Sequence, residues 1–362
     1  MRITLILPGP GCKPIGGYKI IYEYANRLAK RGHNVIIIHP AKLYIDTTII
    51  DIPKKVLRYI QRRVDGSYRP KSWFYVESLV DLRWVLSLSE RHIPNSDVVI
   101  ATAWQTAEWV RSYGLEKGVK YYLIHDYEHY MTADSETRDR IAATYRGNIN
   151  NIVTSPAGLE MLKACGAEAD AYIPNGIDFD TFELKEDFES SERRAIGFPS
   201  RPEYFKGTRD AIAALENVRE KLGENFVAWS FGGRKPTYLP SWINYYERPS
   251  DEILCNLYNS SAIFVTASHY EGWGLPGAEA MACGAALVST DHGGVRAYAQ
   301  HGQTALLCAP KDIDALAKNI CLLLENSDLR KSIAQAGYRH IQHFTWDVAV
   351  DALEAALSNG GK

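Results

Sequence analysis

Nowhere in this 362-residue sequence is there an apolar run of the roughly 18 residues that a membrane-spanning helix needs. The apolar part of the opening MRITLILPGPG is too short for a secretory leader, and this suits a cytoplasmic protein. Cysteine is sparse and scattered, at positions 12, 165, 255, 283, 308 and 321, with no Cys-x-x-Cys pair. That argues against a zinc framework and against a disulfide scaffold, and it fits a reducing compartment. A large charge of one sign is missing too. Lys and Arg number 41 against 43 Asp and Glu, for a net charge of −2, so no global field selects a nucleic acid. The dinucleotide fingerprint fails at its own third glycine, because Gly9-x-Gly11 is followed by Pro14. What remains is a globular composition, 46% hydrophobic and 23% charged, in a chain long enough for two domains.

Strand and helix signals alternate along the chain. Ile3–Leu7 reads as a buried strand. A glycine- and proline-rich loop follows, then a helix from about Tyr18 to Lys30 and a strand at Val35–Ile38. This βαβ order predicts a right-handed crossover in an open parallel sheet. Gly16-Gly17 at the helix start either make the turn or seat an anion. Strands at Val98–Ala101 and Tyr121–Ile124 continue the pattern, the latter ending at His125-Asp126, a position that points into the ligand crevice of such sheets. The turn Ile173–Asp178 and the charged stretch Lys185–Arg194 mark a domain boundary, giving 1–175 and 176–345, with a last helix over 346–358. Residues 54–71 carry seven basic side chains and one acid, Asp65. As a helix they place Val56, Leu57, Ile60 and Val64 on one face, flanked by Lys54, Lys55, Arg58 and Arg62. That face is either simply solvated or suited to an anionic membrane or a phosphate-linked acceptor.

The most informative stretch is Ser268–Gly284, SHYEGWGLPGAEAMACG. The apolar run Ala262–Thr266 delivers it. Gly272, Gly274 and Gly277 break the strand around Pro276, and from Leu275 onward the residues suit a helix that Gly284 stops. A helix start has unpaired N–H groups and the positive end of the macrodipole, and small residues let a diphosphate approach it. Glu271 and Glu279 bracket the turn, and a carboxylate can accept from two adjacent hydroxyls of a ribose or a hexose. Arg201 and Lys206, in Ser200–Gly207, are two cations able to clamp a pyrophosphate from the opposite side.

Glu271-Gly272-Trp273-Gly274-Leu275-Pro276-Gly277-Ala278-Glu279 followed by Ala280–Gly284 resembles the signature of family 4 retaining glycosyltransferases, in the glycosyl transferases group 1 class. The resemblance implies the α/β GT-B fold: two Rossmann-like domains with parallel sheets facing across a cleft, acceptor on the first and donor on the second, the last helix packing back on the first. It implies metal-independent transfer of a hexose from a nucleotide sugar, a UDP-sugar being favoured, to a glycan or lipid-linked hydroxyl. Polysaccharide or glycolipid assembly is the expected setting, with no cofactor and no metal. Glu279 would hold the ribose and Glu271 the hexose. Arg201, Lys206 and the turn Gly272–Leu275 would hold the diphosphate, with Arg248 near the base. His125 would position the hexose, and Gly16-Gly17 would lie against donor phosphates or acceptor. The Asp178-x-Asp180 pair resembles the family's linker rather than a metal motif.

The sequence departs from the pattern in two places. Pro199-Ser200-Arg201 replaces the usual glycine-arginine opening, and Ala297 stands where a glutamate is usual. A nucleotide-sugar epimerase on the same fold and a non-catalytic nucleotide-sugar-binding scaffold stay open beside the transferase, and Ala297 leans toward the latter.

Overall fold

The computed structural model describes residues 1–43, 52–126, 128–132, 134–224 and 226–360. The chain divides into two compact units. One comprises residues 1–154, 158–173 and 350 onward, and the other 155–157 and 174–349.

In the first unit the order is β1 (Arg2–Ile6), α1 (Gly16–Lys30), β2 (Asn34–Lys42), α2 (Ile52–Asp65), β3 (Asp81–Ser87), β4 (Val98–Ala101), α3 (Trp104–Arg111), β5 (Val119–Ile124), α4 (Glu128–Met131), α5 (Ser135–Thr144), β6 (Asn150–Val153), α6 (Pro156–Ala164) and β7 (Ala171–Tyr172). These strands form one parallel sheet in the order β3-β2-β1-β4-β5-β6-β7. The near-continuous apolar runs of β1, β2 and β4 follow from burial on both sheet faces.

The second unit runs β8 (Ala195–Pro199), α7 (Thr208–Leu222), β9 (Val227–Gly232), β10 (Ile243–Glu247), α8 (Asp251–Asn259), β11 (Ser261–Thr266), α9 (Leu275–Ala282), β12 (Ala286–Thr290), β13 (Ala305–Cys308), α10 (Ile313–Glu325), α11 (Ser327–Ile341) and α12 (Trp346–Asn359). Its parallel sheet has the order β10-β9-β8-β11-β12-β13. The order reverses between β8 and β11, and between β1 and β4 in the first unit. Each reversal opens a crevice at the carboxyl ends of the strands, where ligands of such sheets bind. Both units are therefore Rossmann-like parallel α/β sheets, as the resemblance implies.

α12 starts in the second unit, but its residues from 350 onward group with the first. There Asp351 and Glu354 hold Arg31, His33 pairs with Glu354 at 2.7 Å, and Tyr121 Oη donates to the carbonyl of Ala356 at 3.0 Å.

The helix expected in the basic stretch forms as α2. Leu57, Ile60 and Val64 are exposed on it at 69%, 52% and 84%, so the apolar stripe does not serve the core. Arg62 lies over Trp84 and Arg63 over Tyr59. The side chains of Lys54 and Lys55 lie outside the described residues.

Candidate functional site

In the second unit, β11 is buried along its whole length and delivers the chain to the turn before α9. Gly274 is the residue before the helix, at φ 95°, a left-handed conformation that favours glycine. Pro276 in the first turn costs nothing, because a first-turn N–H has no partner inside the helix. The N–H groups of Gly274 and Leu275 have no acceptor among the described residues. The Tyr298 hydroxyl donates to the carbonyl of Gly274 at 2.9 Å and fixes the turn from below. Gly294 of the next loop sits so close that a Cβ there would stand 2.6 Å from the carbonyl oxygen of Glu271 and from the Trp273 nitrogen. The two loops are thus interlocked, with Glu271 N–H donating to the carbonyl of His292 at 3.2 Å.

The loop after β8 closes the other side. His269 N–H donates to the carbonyl of Phe205 at 2.7 Å, tying that loop to the one after β11. Gly207 allows the approach: its φ is 62°, and a Cβ would stand 1.8 Å from the carbonyl oxygen of Ala267. This brings Lys206 to Glu271. Lys206 Nζ donates to Glu271 Oε2 at 2.8 Å, and Ser268 Oγ donates to Oε1 at 2.9 Å. Burial alone would raise the pKa of Glu271, but the Lys206 charge and these two hydrogen bonds outweigh it and hold the carboxyl below its ordinary value. Arg201 lies on the carboxyl ends of β8 and β9, donating to the carbonyls of Ser200 at 3.0 Å and Phe231 at 3.1 Å, with its guanidinium over the Phe231 ring. Among the described residues it has no carboxylate partner. The Pro199-Ser200-Arg201 opening still forms a defined loop, since Arg201 N–H donates to Thr208 Oγ1 at 2.9 Å.

Glu279 is 7% exposed on α9 and accepts from the Tyr258 hydroxyl at 3.2 Å. Arg248 stands in the loop after β10 at φ 48°, its Nε donating to the carbonyl of Gly233 at 3.0 Å. Trp273 lies within the expected donor turn with its side chain facing inward. Its indole is 3% exposed and packs on Tyr298, with ring centroids 4.8 Å apart, so it supports the turn from the core. Gly272 is buried in the interlocked turn, and Leu275 packs against the same apolar cluster as Trp273. Ala297 also packs on that cluster. Asp178 accepts from the Thr181 hydroxyl at 2.6 Å and so belongs to a local turn.

In the first unit His125 follows β5. Both of its ring nitrogens are buried without a partner among the described residues, and burial lowers its pKa to about 4, so the ring is neutral near pH 7. Gly16 and Gly17 form the first turn of α1 rather than the loop before it, and space is open where a Cβ on Gly17 would stand. Sequence reasoning missed Glu128, three residues beyond His125. It accepts from the backbone N–H of Trp104 at 2.9 Å and from the Tyr122 hydroxyl, and burial raises its pKa to about 7. It also missed His292, described below.

Residues 180–340 match the family described as glycosyl transferases group 1. Glycogen synthase of Mycobacterium tuberculosis is 25% identical over 269 residues, covering 71% of this chain and 62% of that protein. The chain thus spans about three fifths of the length of that relative. O-antigen chain mannosyltransferase B of Escherichia coli is 33% identical over 106 residues, 29% of this chain and 27% of that one. Among solved structures, sucrose-phosphate synthase from Thermosynechococcus elongatus superposes with a TM-score of 0.72 at 16% identity, covering 98% of this chain and 97% of that one. Anabaena HepE in complex with UDP-glucose gives 0.73 at 17% identity, covering 99% and 100%. These likenesses show the fold, and the family match falls on the unit that carries Arg201, Lys206, Glu271 and Glu279.

Proposed function

We propose that the chain is a retaining glycosyltransferase, moving a hexose from a nucleotide sugar to an acceptor hydroxyl, and the match of residues 180–340 to glycosyl transferases group 1 supports this reading. One observation carries the reading. Open N–H groups at the tip of α9, the Lys206–Glu271 pair and the Arg201 guanidinium gather at the switch point of the second sheet. A diphosphate placed there meets amide donors, a helix dipole and two cations, which together offset the charge that develops on the leaving group. Arg201 and Lys206 do this without calling for a divalent metal. Glu271, kept ionised by Lys206, accepts from hexose hydroxyls, and Glu279 accepts from the ribose. His125 of the first unit carries a neutral ring with two unmatched nitrogens, suited to hydroxyl groups of a sugar.

A UDP-sugar is the favoured donor, and the solved HepE complexes with UDP and with UDP-glucose support trying it first. The mannosyltransferase and glycogen synthase relatives point to a glycan or lipid-linked acceptor and to polysaccharide assembly. The exposed apolar stripe of α2, beside Arg58, Arg62 and Arg63, suits shallow contact with an anionic membrane at its cytoplasmic face.

The test is thermal-shift and hydrolysis screening with UDP-, GDP- and ADP-sugars, followed by NMR of the product anomer. A raised melting temperature and release of nucleoside diphosphate that E271A and K206A abolish are expected, with the donor's anomeric configuration kept. Donor binding without turnover at any acceptor or in hydrolysis would leave the scaffold reading, and release of an altered nucleotide sugar would establish the epimerase.

A further inference from the structure

His292 precedes the loop that interlocks with the α9 turn, and nothing in the donor set above uses it. Its ring is 2% exposed. Val295 N–H donates to its Nδ1 at 3.3 Å, so in the neutral ring the proton sits on Nε2. That Nε2–H has no partner among the described residues. The ring rests against Gly274: a Cβ on that residue would stand 2.9 Å from His292 Cε1 and 3.1 Å from Nε2. The unmatched ring donor therefore lies at the same corner as the open N–H groups of Gly274 and Leu275. Three donors and no acceptor meet at the positive end of a helix, and a buried donor left unmatched is costly. The nearby Glu271 carboxylate, which accepts from Lys206 and Ser268, does not accept from it.

We propose that His292 is part of the diphosphate seat, giving its Nε2–H to the sugar-bearing phosphate held at the tip of α9. The proposal rests on the donor reading given above. It also explains why residue 274 is glycine beyond its backbone angle, since any side chain there would displace the ring. Burial, with Lys206 adding to it and Glu271 and Asp291 opposing, lowers the pKa of His292 to about 4. The ring thus acts as a neutral donor, and its contribution is level between pH 6 and 8.

Two substitutions separate the two ring nitrogens. H292Q places an amide N–H near the position of Nε2 but gives up the Val295 bond. H292N keeps an acceptor for Val295 N–H but does not reach the tip. Full-length protein is titrated calorimetrically with whichever of UDP, GDP or ADP the wild type binds tightest, and with the matching monophosphate. Expected is a loss of about tenfold in diphosphate affinity for H292N, with H292Q within about threefold of wild type and the monophosphate little changed in both. The reverse ranking, or an equal loss for monophosphate and diphosphate, overturns the proposal and leaves His292 as loop packing. A wild type that binds none of the three diphosphates overturns the donor reading itself, a different result from either ranking.

Discussion

Lys206 and Glu271, from loops 65 residues apart, hold each other at 2.8 Å, so the cation and the carboxylate that flank the α9 tip form one unit. Removing either should leave the other's charge less well matched in a largely buried place. The single changes K206A and E271A should each lose activity on the order of 100-fold or more, while a double-mutant cycle on stability shows a coupling of roughly 1–3 kcal/mol. The measurement is urea unfolding of the four proteins beside their turnover. Strict additivity would mean that the pair is solvated and independent.

The same pair sets a pH dependence of stability. The folded pKa of Glu271 lies below the unfolded value of 4.5. Its contribution is fully present above that unfolded value and is lost as the pH falls through the lower folded one. E271Q should therefore flatten the acid limb of the stability curve, measured by urea midpoints from neutral pH downward.

Glu128 has the opposite sign. Its pKa is raised from 4.5 to about 7 by burial, so the folded state disfavours the ionised form. The fold is favoured below the unfolded value, and that advantage is lost as the pH rises through about 7. E128Q, which keeps an acceptor for Tyr122 and Trp104, should melt higher than wild type at pH 8 and no higher at pH 5. A constant gap across that range would show that the carboxyl is solvated.

Gly207 should tolerate no side chain. G207A adds a left-handed alanine and a Cβ 1.8 Å from the carbonyl oxygen of Ala267. The expected cost is roughly 2–4 kcal/mol, with weaker donor binding because the Lys206 loop must back away. Thermal melting and nucleotide titration check both, and an unchanged melting temperature would show that the loops separate freely.

On α2, Leu57 and Ile60 stand in solvent beside arginines. The double change L57E/I60E should abolish co-sedimentation with phosphatidylglycerol vesicles and leave nucleotide affinity unchanged. No co-sedimentation of the wild type would end the membrane assignment.

The α9 turn was legible because its signals are local: a buried strand, Gly274 where the backbone turns left-handed, a proline in the first helical turn, and Gly284 at φ 85° as the stop. The start of α8 carries the same kind of local signal, Ser250 accepting from Ile253 N–H. Strands β3 and β13 were not legible, since Asp81–Ser87 is only partly buried at the sheet edge and Ala305–Cys308 is four residues long. The inward packing of Trp273 was not legible, because Tyr298, twenty-five positions on, supplies the ring it packs against. The Lys206–Glu271 bond and the orphan proton of His292 depend on loops that meet only after the sheet assembles, and no spacing in the chain encodes that meeting.

The return of residues 350–360 to the first unit makes the second an insertion within it. On the ribosome, residues 174–349 can collapse around their own sheet while the earlier unit still lacks the partner of Arg31 and His33. Clipping only the terminal turns of α12 would therefore injure the half of the molecule that was made first.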